Sequence, residues 1–283
     1  ARGPQHPLAA DVVILDEVSM IDTRLMRDFV AALSPTARLI LVGDVNQLPA
    51  VGPGNILGDL ISSARVPVAR LMTIKRQDPG ALLRAIHSIK DGRSPEIRNA
   101  PTDDLFFDDR ATDSEAIAES VINLVLERLP KRFAAAGLAL EVLRDIQVIT
   151  AMRSQGPLSC DALNKAFQER LHPAPATDPK RKFRVGDKVI QCRNEYQLHI
   201  YNGDIGFVKE YDKDGAGRPI IRVAFDPIDP DAPPGSRVVE IPAGENDLNL
   251  AYACTCHKYQ GSEARVVVIP LHSSQSPRLL TRP

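Results

Sequence analysis

Two short apolar runs near the start of the printed sequence, each followed directly by polar residues, predict neighbouring parallel strands of an α/β domain. The first run covers residues 12–15 and the second covers residues 38–42. Continuous apolar runs are typical of parallel strands that are covered on both faces. The apolar residues between the runs recur at helical spacing: Leu25, Met26, Phe29, Val30 and Leu33. The pattern therefore predicts a strand–helix–strand unit, with Ser19 or Asp22 as the helix cap.

The polar residues that follow the two strands are candidates for a nucleotide site. Ligands of open parallel sheets bind beside the carboxyl ends of strands, and those ends carry Asp16, Glu17, Asp44 and Gln47. In phosphoryl transfer one carboxylate can hold Mg²⁺ while a second residue orients the attacking water. Each of these residues also fits a solvated turn. Only their combination favours a phosphate site.

The centre of the chain, from residue 76 to about residue 175, has mainly helical spacing with short strands between the helices. One buried strand is predicted at residues 146–150. Helices are predicted in this region at residues 81–89, 117–125 and 163–171, and another is predicted before it at residues 55–63.

The spacing changes to short β-like runs from about residue 182 to residue 247. Asn202 and Gly203 form a strong hairpin signal within these runs. A small all-β insertion is therefore predicted here. The chain then returns to the α/β pattern, with strands expected at residues 251–255 and 266–270.

The motifs along the chain resemble those of a known family, in the family's order. DEVSM (16–20) and LVGDVNQLP (41–49) resemble motifs II and III of superfamily 1 helicases, in their RecD-like branch. LMTIKRQ (71–77) is similar to the segment with that family's motif IV arginine. RVGDKVIQCRNEY and YNGDIGFV resemble its SH3-like barrel, and LAYACTCHKYQGSEARVVVIPL (250–271) resembles motif V.

The resemblance implies a role for each matching residue. It implies that Asp16 holds Mg²⁺ through water, Glu17 orients or deprotonates the hydrolytic water, Gln47 senses the γ-phosphate and Arg76 is an arginine finger. The nucleotide-binding residues that it implies are Asp44, Gln260, Gly261 and Glu263. The implied DNA-binding residues are Thr255, His257, Lys258 and Arg153.

The implied fold is an α/β RecA-like P-loop NTPase motor with an inserted small SH3-like β-barrel. The expected domains are the end of a first motor domain (1–75), a second motor domain (76–180 and 249–283) and the barrel (181–248). The implied activity is ATP-dependent 5′ to 3′ unwinding in DNA repair or recombination. ATP and Mg²⁺ are the implied cofactors. The implied partners are single-stranded DNA and other subunits of a helicase–nuclease complex.

Two departures from the family pattern lead to a further expectation. The phosphate-binding loop of the family needs Gly-Lys, and the chain has no Gly-Lys dipeptide. The chain also stops at RLLTRP, before the family's motif VI. We expect a fragment of a motor that hydrolyses ATP poorly by itself. A non-catalytic DNA- or partner-binding module and the motor part of a conjugative relaxase-helicase stay open as alternatives.

Composition adds only a few constraints. The 283 residues carry a net charge of −1, so any DNA contact must come from a local groove rather than a strongly basic surface. Without an apolar run of about 20 residues or a signal peptide, we expect a bacterial-type cytoplasmic protein that does not enter a membrane. Cys254, Cys256 and His257 lack a second ligand pair for zinc. The two cysteines are expected on one face of a strand. Aromatic residues make up only 5% of the chain, and base-stacking candidates are limited to Phe or Tyr residues of the barrel, without a choice among them.

Overall fold

The computed structural model describes residues 2–73, 80–174, 181–227, 231–244 and 246–275. The chain divides into two compact units, Ala1–Asp108 and Asp109–Pro283. The domain boundaries expected from the sequence stay a prediction, since they divide the chain by the family pattern rather than by compactness.

The first unit contains the predicted strand–helix–strand. Its elements are β1 (Val12–Leu15), a 3₁₀ turn (Val18–Met20), α1 (Thr23–Ala31), β2 (Arg38–Leu41), α2 (Ile56–Ser62) and α3 (Ala81–Lys90). β1 and β2 are parallel, with Leu15 opposite Leu41. Asp22 is the helix cap, because its side chain accepts a hydrogen bond of 2.7 Å from the backbone N–H of Leu25.

The prediction that both strands are covered on both faces is wrong for the residues that the structure describes. One face packs in a small core of residues from the strands and from α1 and α2, including Leu15, Met26 and Leu57. On the other face Val12 is 50% exposed and Ile14 is 65% exposed. The apolar run has the composition of a buried strand, but within the described ranges β1 and β2 pair only with each other.

The second unit starts with helices and one strand of a parallel sheet. These elements are α4 (Ser114–Asn123), a π-helical turn (Leu124–Arg128), α5 (Leu129–Ala135), α6 (Val142–Asp145), β3 (Ile146–Thr150) and α7 (Cys160–Leu171). The sequence predicted β3 with the same bounds. It also predicted most of α7, whose apolar residues Leu163 and Phe167 are fully buried against β3.

An antiparallel barrel sheet follows, and the chain then returns to the parallel sheet. The barrel strands are β4 (Lys188–Gln191), β5 (Ile205–Lys213), β6 (Pro219–Phe225), β7 (Arg237–Pro242) and β8 (Leu248–Leu250). The remaining elements are β9 (Ala253–Thr255), α8 (Cys256–Tyr259) and β10 (Val266–Val268). The strand orders are β7-β6-β5-β4-β8 in the barrel and β10-β3-β9 in the parallel sheet.

Buried polar side chains join the barrel to the parallel sheet. Lys188 of β4 is 3% exposed, and its Nζ donates hydrogen bonds to Gln147 Oε1 of β3 at 3.0 Å and to the carbonyl oxygen of Ile146 at 3.4 Å. Gln147 Nε2 donates in turn to the carbonyl oxygens of Ala251 and Tyr252, between β8 and β9. One lysine and one glutamine therefore tie β3 to both ends of the barrel insertion.

Asp187, which directly precedes Lys188, extends this connection to α7. Its carboxylate accepts hydrogen bonds from Tyr252 Oη at 2.8 Å, Gln168 Nε2 at 2.5 Å and the backbone N–H of Arg184 at 2.7 Å. We call Gln147, Gln168, Asp187, Lys188 and Tyr252 the junction network. Burial and the nearby carboxylate raise the pKa of the Tyr252 phenol far above its usual value, so Tyr252 stays a hydrogen-bond donor.

The ammonium group of Lys188 carries an energetic cost at neutral pH. Burial lowers its pKa from 10.5 to about 8, because the charged form loses its hydration. Its Nζ donates to an amide oxygen and a carbonyl oxygen, which carry no full negative charge. An apolar residue of the same length at position 188 would avoid the cost of burying this charge.

Raising the pH is expected to stabilise the wild-type protein relative to a Lys188→Met variant. Between pH 8 and pH 10.5 the unfolded chain binds more protons than the folded one, so stability rises with pH across this window. The full window corresponds to roughly 3 kcal/mol. Urea denaturation at a series of pH values measures the difference in the free energy of unfolding between the two proteins.

Lys165 on α7 provides the matched control, because its side chain is exposed. The stability difference between the wild type and Lys165→Met should stay constant over the same pH range. A constant difference for Lys188→Met as well would contradict a lysine that loses its proton near pH 8 in the folded state.

Candidate nucleotide site and candidate nucleic-acid interface

β1 ends in a tight turn that carries both predicted catalytic carboxylates. Asp16 is exposed, and its Oδ1 accepts a hydrogen bond of 2.8 Å from the backbone N–H of Glu17. Glu17 has φ 54° and ψ 41°, in the left-handed region that residues other than glycine rarely adopt. Backbone strain of this kind clusters at functional sites. Glu17 shares this conformation with four other described non-glycine residues, so its backbone angles fit the predicted site without establishing it.

The end of β2 lies beside this turn. The N–H of Val42 donates to the carbonyl oxygen of Leu15 at 2.9 Å, and the N–H of Val18 donates to the carbonyl oxygen of Val42 at 3.0 Å. The structure thus brings Asp16 and Glu17 to the same strand edge as Asp44, as the sequence predicted.

The residues after β2 form a compact polar loop. Asp44 Oδ1 accepts from the backbone N–H of Asn46 at 2.8 Å and from its Nδ2 at 3.1 Å, and the N–H of Gln47 donates to the carbonyl oxygen of Asp44 at 3.2 Å. One carboxylate oxygen of Asp44 therefore holds the loop itself in place. The side chain of Gln47 is exposed. Arg76 lies outside the described residues.

Gly43 allows the close approach of the two strand ends, a role that the sequence analysis did not assign. A Cβ atom at Gly43 would lie 2.9 Å from Leu57 Cδ2, 3.1 Å from the backbone N of Val18 and 3.3 Å from the backbone N of Ser19. The glycine in the motif III segment was the available signal, because glycine permits contact with a neighbouring backbone.

The candidate DNA-binding residues are in the second unit, at the end of its parallel sheet. β3 and β9 are parallel neighbours, with Thr150 opposite Thr255. The loop with the exposed Arg153 and the helix α8 therefore leave the same edge of the sheet. The carbonyl oxygen of Arg153 accepts a hydrogen bond of 3.0 Å from Asp161, which holds its loop to the start of α7.

The three predicted DNA-binding residues at α8 have different environments. Thr255 has extended backbone angles at the N-terminus of the helix, and its side chain makes no capping hydrogen bond. His257 is exposed. Lys258 is half-buried, and its Nζ donates to Cys192 Sγ, next to barrel strand β4, at 2.7 Å. Lys258 thus also connects α8 to the barrel, which the sequence analysis did not anticipate.

The predicted nucleotide-binding residues of this unit lie in the turn after α8. Gly261 has φ 81°, the left-handed conformation that favours glycine. Tyr259 Oη donates to the carbonyl oxygen of Glu263 at 2.7 Å and closes the turn. Burial raises the pKa of Tyr259 to about 12, which keeps the phenol a donor. The exposed side chain of Glu263 and the half-buried side chain of Gln260 flank this glycine.

Cys254 and Cys256 do not share a strand face, so that expectation was wrong. Cys254 is buried in β9, whereas Cys256 is the first residue of α8, where the chain has turned into a helix. Burial raises the pKa of the Cys254 thiol to about 11, which disfavours the thiolate form that binds metals. Within the described ranges, no group of three or more His, Cys, Asp or Glu side chains is arranged to hold a metal ion.

Comparisons with known proteins first identify the class of fold. The crystal structure of Pif1 helicase from Bacteroides in complex with ADP-AlF3 and ssDNA matches with a TM-score of 0.53 at 18% identity, over 96% of this chain and 67% of that chain. Residues 5–104 match a family model described as an AAA domain. The predicted fold class, a RecA-like motor with an SH3-like insertion, is confirmed.

Sequence relatives then identify the branch. Residues 163–225 match the model described as the ATP-dependent RecD-like DNA helicase SH3 domain. The chain is 32% identical to the ATP-dependent RecD2 DNA helicase of Deinococcus radiodurans and 31% identical to the RecBCD enzyme subunit RecD of Mycobacterium tuberculosis, in each case over 98% of the chain. It spans 36% and 47% of the lengths of these two relatives. The chain is therefore related to the RecD-like helicases, as its motifs predicted.

Among the described residues, no helix is both long enough and apolar enough to cross a membrane.

A Gly43→Ala substitution is expected to loosen the contact between the two strand ends. The added methyl group overlaps a side chain and two backbone nitrogens, and overpacking of this kind costs about 1–3 kcal/mol. Hydrogen–deuterium exchange should become faster at the backbone amides of Val18 and Val42. Gly3→Ala is the matched control in the same unit, since a Cβ there meets no atom within 4 Å. Unchanged exchange in Gly43→Ala would contradict the close approach.

Proposed function

We propose that the protein is an ATP-dependent motor that moves along single-stranded DNA and unwinds DNA, and that this chain supplies part of its ATP-hydrolysing machinery and part of its DNA path. The observation that carries the proposal is the strained Asp16–Glu17 turn, which hydrogen bonds hold beside the Gly43–Asp44 strand end. The relatives named as helicases support the same conclusion. Movement from 5′ to 3′ follows from the resemblance to the RecD-like branch.

Asp16 is the proposed magnesium-binding residue, which would hold the ion through a bound water. Its carboxylate is exposed and uses one oxygen for the N–H of Glu17, which leaves the second oxygen available. Mg²⁺ in nucleotide sites keeps several waters and takes only one or two carboxylates, so a single aspartate at a strand end fits this ion. The ion would neutralise charge on the phosphate oxygens.

Glu17 is the proposed residue that orients the hydrolytic water. Glu17 follows Asp16 directly, in a left-handed backbone conformation at the end of β1. Gln47 and Arg76 would sense and stabilise the γ-phosphate. Asp44 would act by holding the loop that carries Gln47. In the second unit, Gln260, Gly261 and Glu263 would bind nucleotide.

The exposed Arg153 and His257 and the half-buried Thr255 and Lys258, at the end of the second unit's parallel sheet, form the proposed DNA interface. Hydroxyl, imidazole and cationic side chains suit phosphate oxygens, which position a strand without reading its sequence. The segments that carry these residues follow the ends of β3 and β9, at the same edge of the sheet. Lys258 uses one ammonium hydrogen for Cys192 and keeps two for phosphate oxygens. Partner subunits of a helicase–nuclease complex and a cytoplasmic location are further proposals from the relatives.

A Glu17→Gln substitution tests the proposed catalytic role. In a longer form of the protein that includes a phosphate-binding loop, we expect DNA-stimulated ATP hydrolysis to fall at least roughly 100-fold, because glutamine cannot accept a proton from the attacking water. Binding of ATP should change little. This chain by itself, which has no Gly-Lys dipeptide, should hydrolyse ATP poorly with either residue at position 17.

The exposed Glu96 of the first unit provides the control, and Glu96→Gln should keep full activity. If Glu17→Gln also keeps full activity, the catalytic assignment of Glu17 is wrong. If neither the wild type nor the variant hydrolyses ATP in that longer form, the non-catalytic DNA- or partner-binding alternative is favoured.

A further inference from the structure

Two exposed tyrosines stand on a barrel loop for which neither the motifs nor the fold supplies a role. Tyr196 is 69% exposed and Tyr201 is 38% exposed, and their rings meet edge to face with centroids 6.2 Å apart. They lie in residues 192–204, between β4 and β5, which we call the tyrosine loop. An exposed aromatic ring is an apolar surface that solvent does not favour. It can also serve as a stacking surface for another ring.

The tyrosine loop is held in shape by its own hydrogen bonds. Glu195 and Ile200 exchange backbone hydrogen bonds of 2.7 and 3.2 Å. Asn194 accepts from the backbone N–H of Asn202 at 2.9 Å and donates through Nδ2 to Tyr196 Oη at 3.2 Å. The Tyr196 ring is therefore fixed before any ligand arrives, which lowers the entropic cost of binding.

The start of the loop is hydrogen-bonded to α8, the helix that carries proposed DNA-binding residues. Its first residue, Cys192, accepts hydrogen bonds from Lys258 Nζ at 2.7 Å and from Asn249 Nδ2 at 3.1 Å. The next residue, Arg193, has an 80% exposed side chain, and its Nε lies 3.7 Å from Asp247 Oδ1. A single strand that follows α8 toward the barrel would meet a cation and then an aromatic ring.

The carboxylate at the far end of the loop is already neutralised within the protein. Asp204 Oδ2 accepts from Arg237 Nη2 at 2.8 Å and from the backbone N–H of Tyr201 at 3.1 Å. Glu195 Oε1 accepts from the backbone N–H of Gln197 at 3.3 Å. Arg237 therefore balances the charge of Asp204, whereas Glu195 keeps its charge and accepts one backbone hydrogen bond.

We propose that the exposed face of Tyr196 stacks on one unpaired base of single-stranded DNA, while Arg193 contacts a neighbouring phosphate. The inference rests on the proposed function and adds a specific base subsite to it. Aromatic platforms of this kind tolerate any base, because every base has a flat π face. Tyr201 supports the Tyr196 ring from its edge and is not itself the platform.

Binding of a short oligonucleotide that carries one abasic position tests the subsite. With the whole chain, fluorescence anisotropy compares the wild type with Tyr196→Phe and Tyr196→Ala, and the abasic position is moved stepwise along the oligonucleotide. We expect Tyr196→Ala to weaken binding about tenfold. Tyr196→Phe keeps the ring and loses only the hydrogen bond from Asn194 Nδ2, so it should stay within about threefold of the wild type. For the wild type, binding should weaken by a similar factor when the abasic site falls at the base that stacks on Tyr196. Tyr196→Ala should bind the intact and the abasic oligonucleotides equally.

The salt dependence separates lost stacking from a distorted loop. A neutral ring displaces no counterions from DNA, so Tyr196→Ala should keep the wild-type slope of log affinity against log salt concentration. Arg193→Ala should make that slope shallower, because one phosphate contact is lost. The exposed Val238 on β7 offers a control, because Val238→Ala removes exposed apolar surface from the barrel without touching the tyrosine loop.

The possible outcomes distinguish the subsite from the proposed function. If the wild type binds the strand but Tyr196→Ala binds equally well, the subsite is wrong and the motor proposal stands. If Tyr196→Ala loses affinity together with the salt slope, the tyrosine is structural and the subsite is also wrong. If the wild type does not bind single-stranded DNA, both proposals are overturned.

Discussion

The junction network is the constraint on which the arrangement of the second unit depends. Lys188 and Asp187 are buried, and their hydrogen-bond partners belong to β3, to α7 and to the segment between β8 and β9. A buried polar group without a partner costs free energy, so these bonds form only when the barrel and the parallel sheet adopt one mutual position. The cost of burying the Lys188 ammonium is consistent with a gain in positional specificity rather than stability.

This fixed position determines which segments lie beside each other in the proposed DNA path. The segment that accepts hydrogen bonds from Gln147 leads directly into β9 and α8, and β4 leads directly into the tyrosine loop. The hydrogen bond from Lys258 of α8 to Cys192, the first residue of the tyrosine loop, connects these two segments a second time. The helix α8, with its proposed DNA-binding residues, and the tyrosine loop are thereby held beside each other, although most of the barrel sequence lies between them.

Local patterns in the sequence predicted the elements, but contacts between distant residues had to come from the structure. β3, α7 and the cap at Asp22 depend on residue spacing and on neighbours along the chain. The exposure of Val12 and Ile14 depends on which elements pack against β1. The amino-acid composition of the strand does not determine those neighbours. The pairing of Lys188 with Gln147 was equally invisible, because a lysine and a glutamine within short strands look like solvent-facing residues. Motif resemblance located Asp16, Glu17 and Asp44, and the loop bonds of Asp44 appeared only in the structure.

Photochemical cross-linking tests most directly whether the end of the second parallel sheet and the tyrosine loop form one DNA path. An oligonucleotide with 4-thiothymidine at successive positions would be irradiated on the whole chain, and the linked peptides would be identified by mass spectrometry. We expect links in residues 192–204 and 253–263, from nucleotides that are close together in the strand, and competition by unlabelled single strands. Links confined to the outer barrel strands β6 and β7, or to the first unit, would contradict the proposed path.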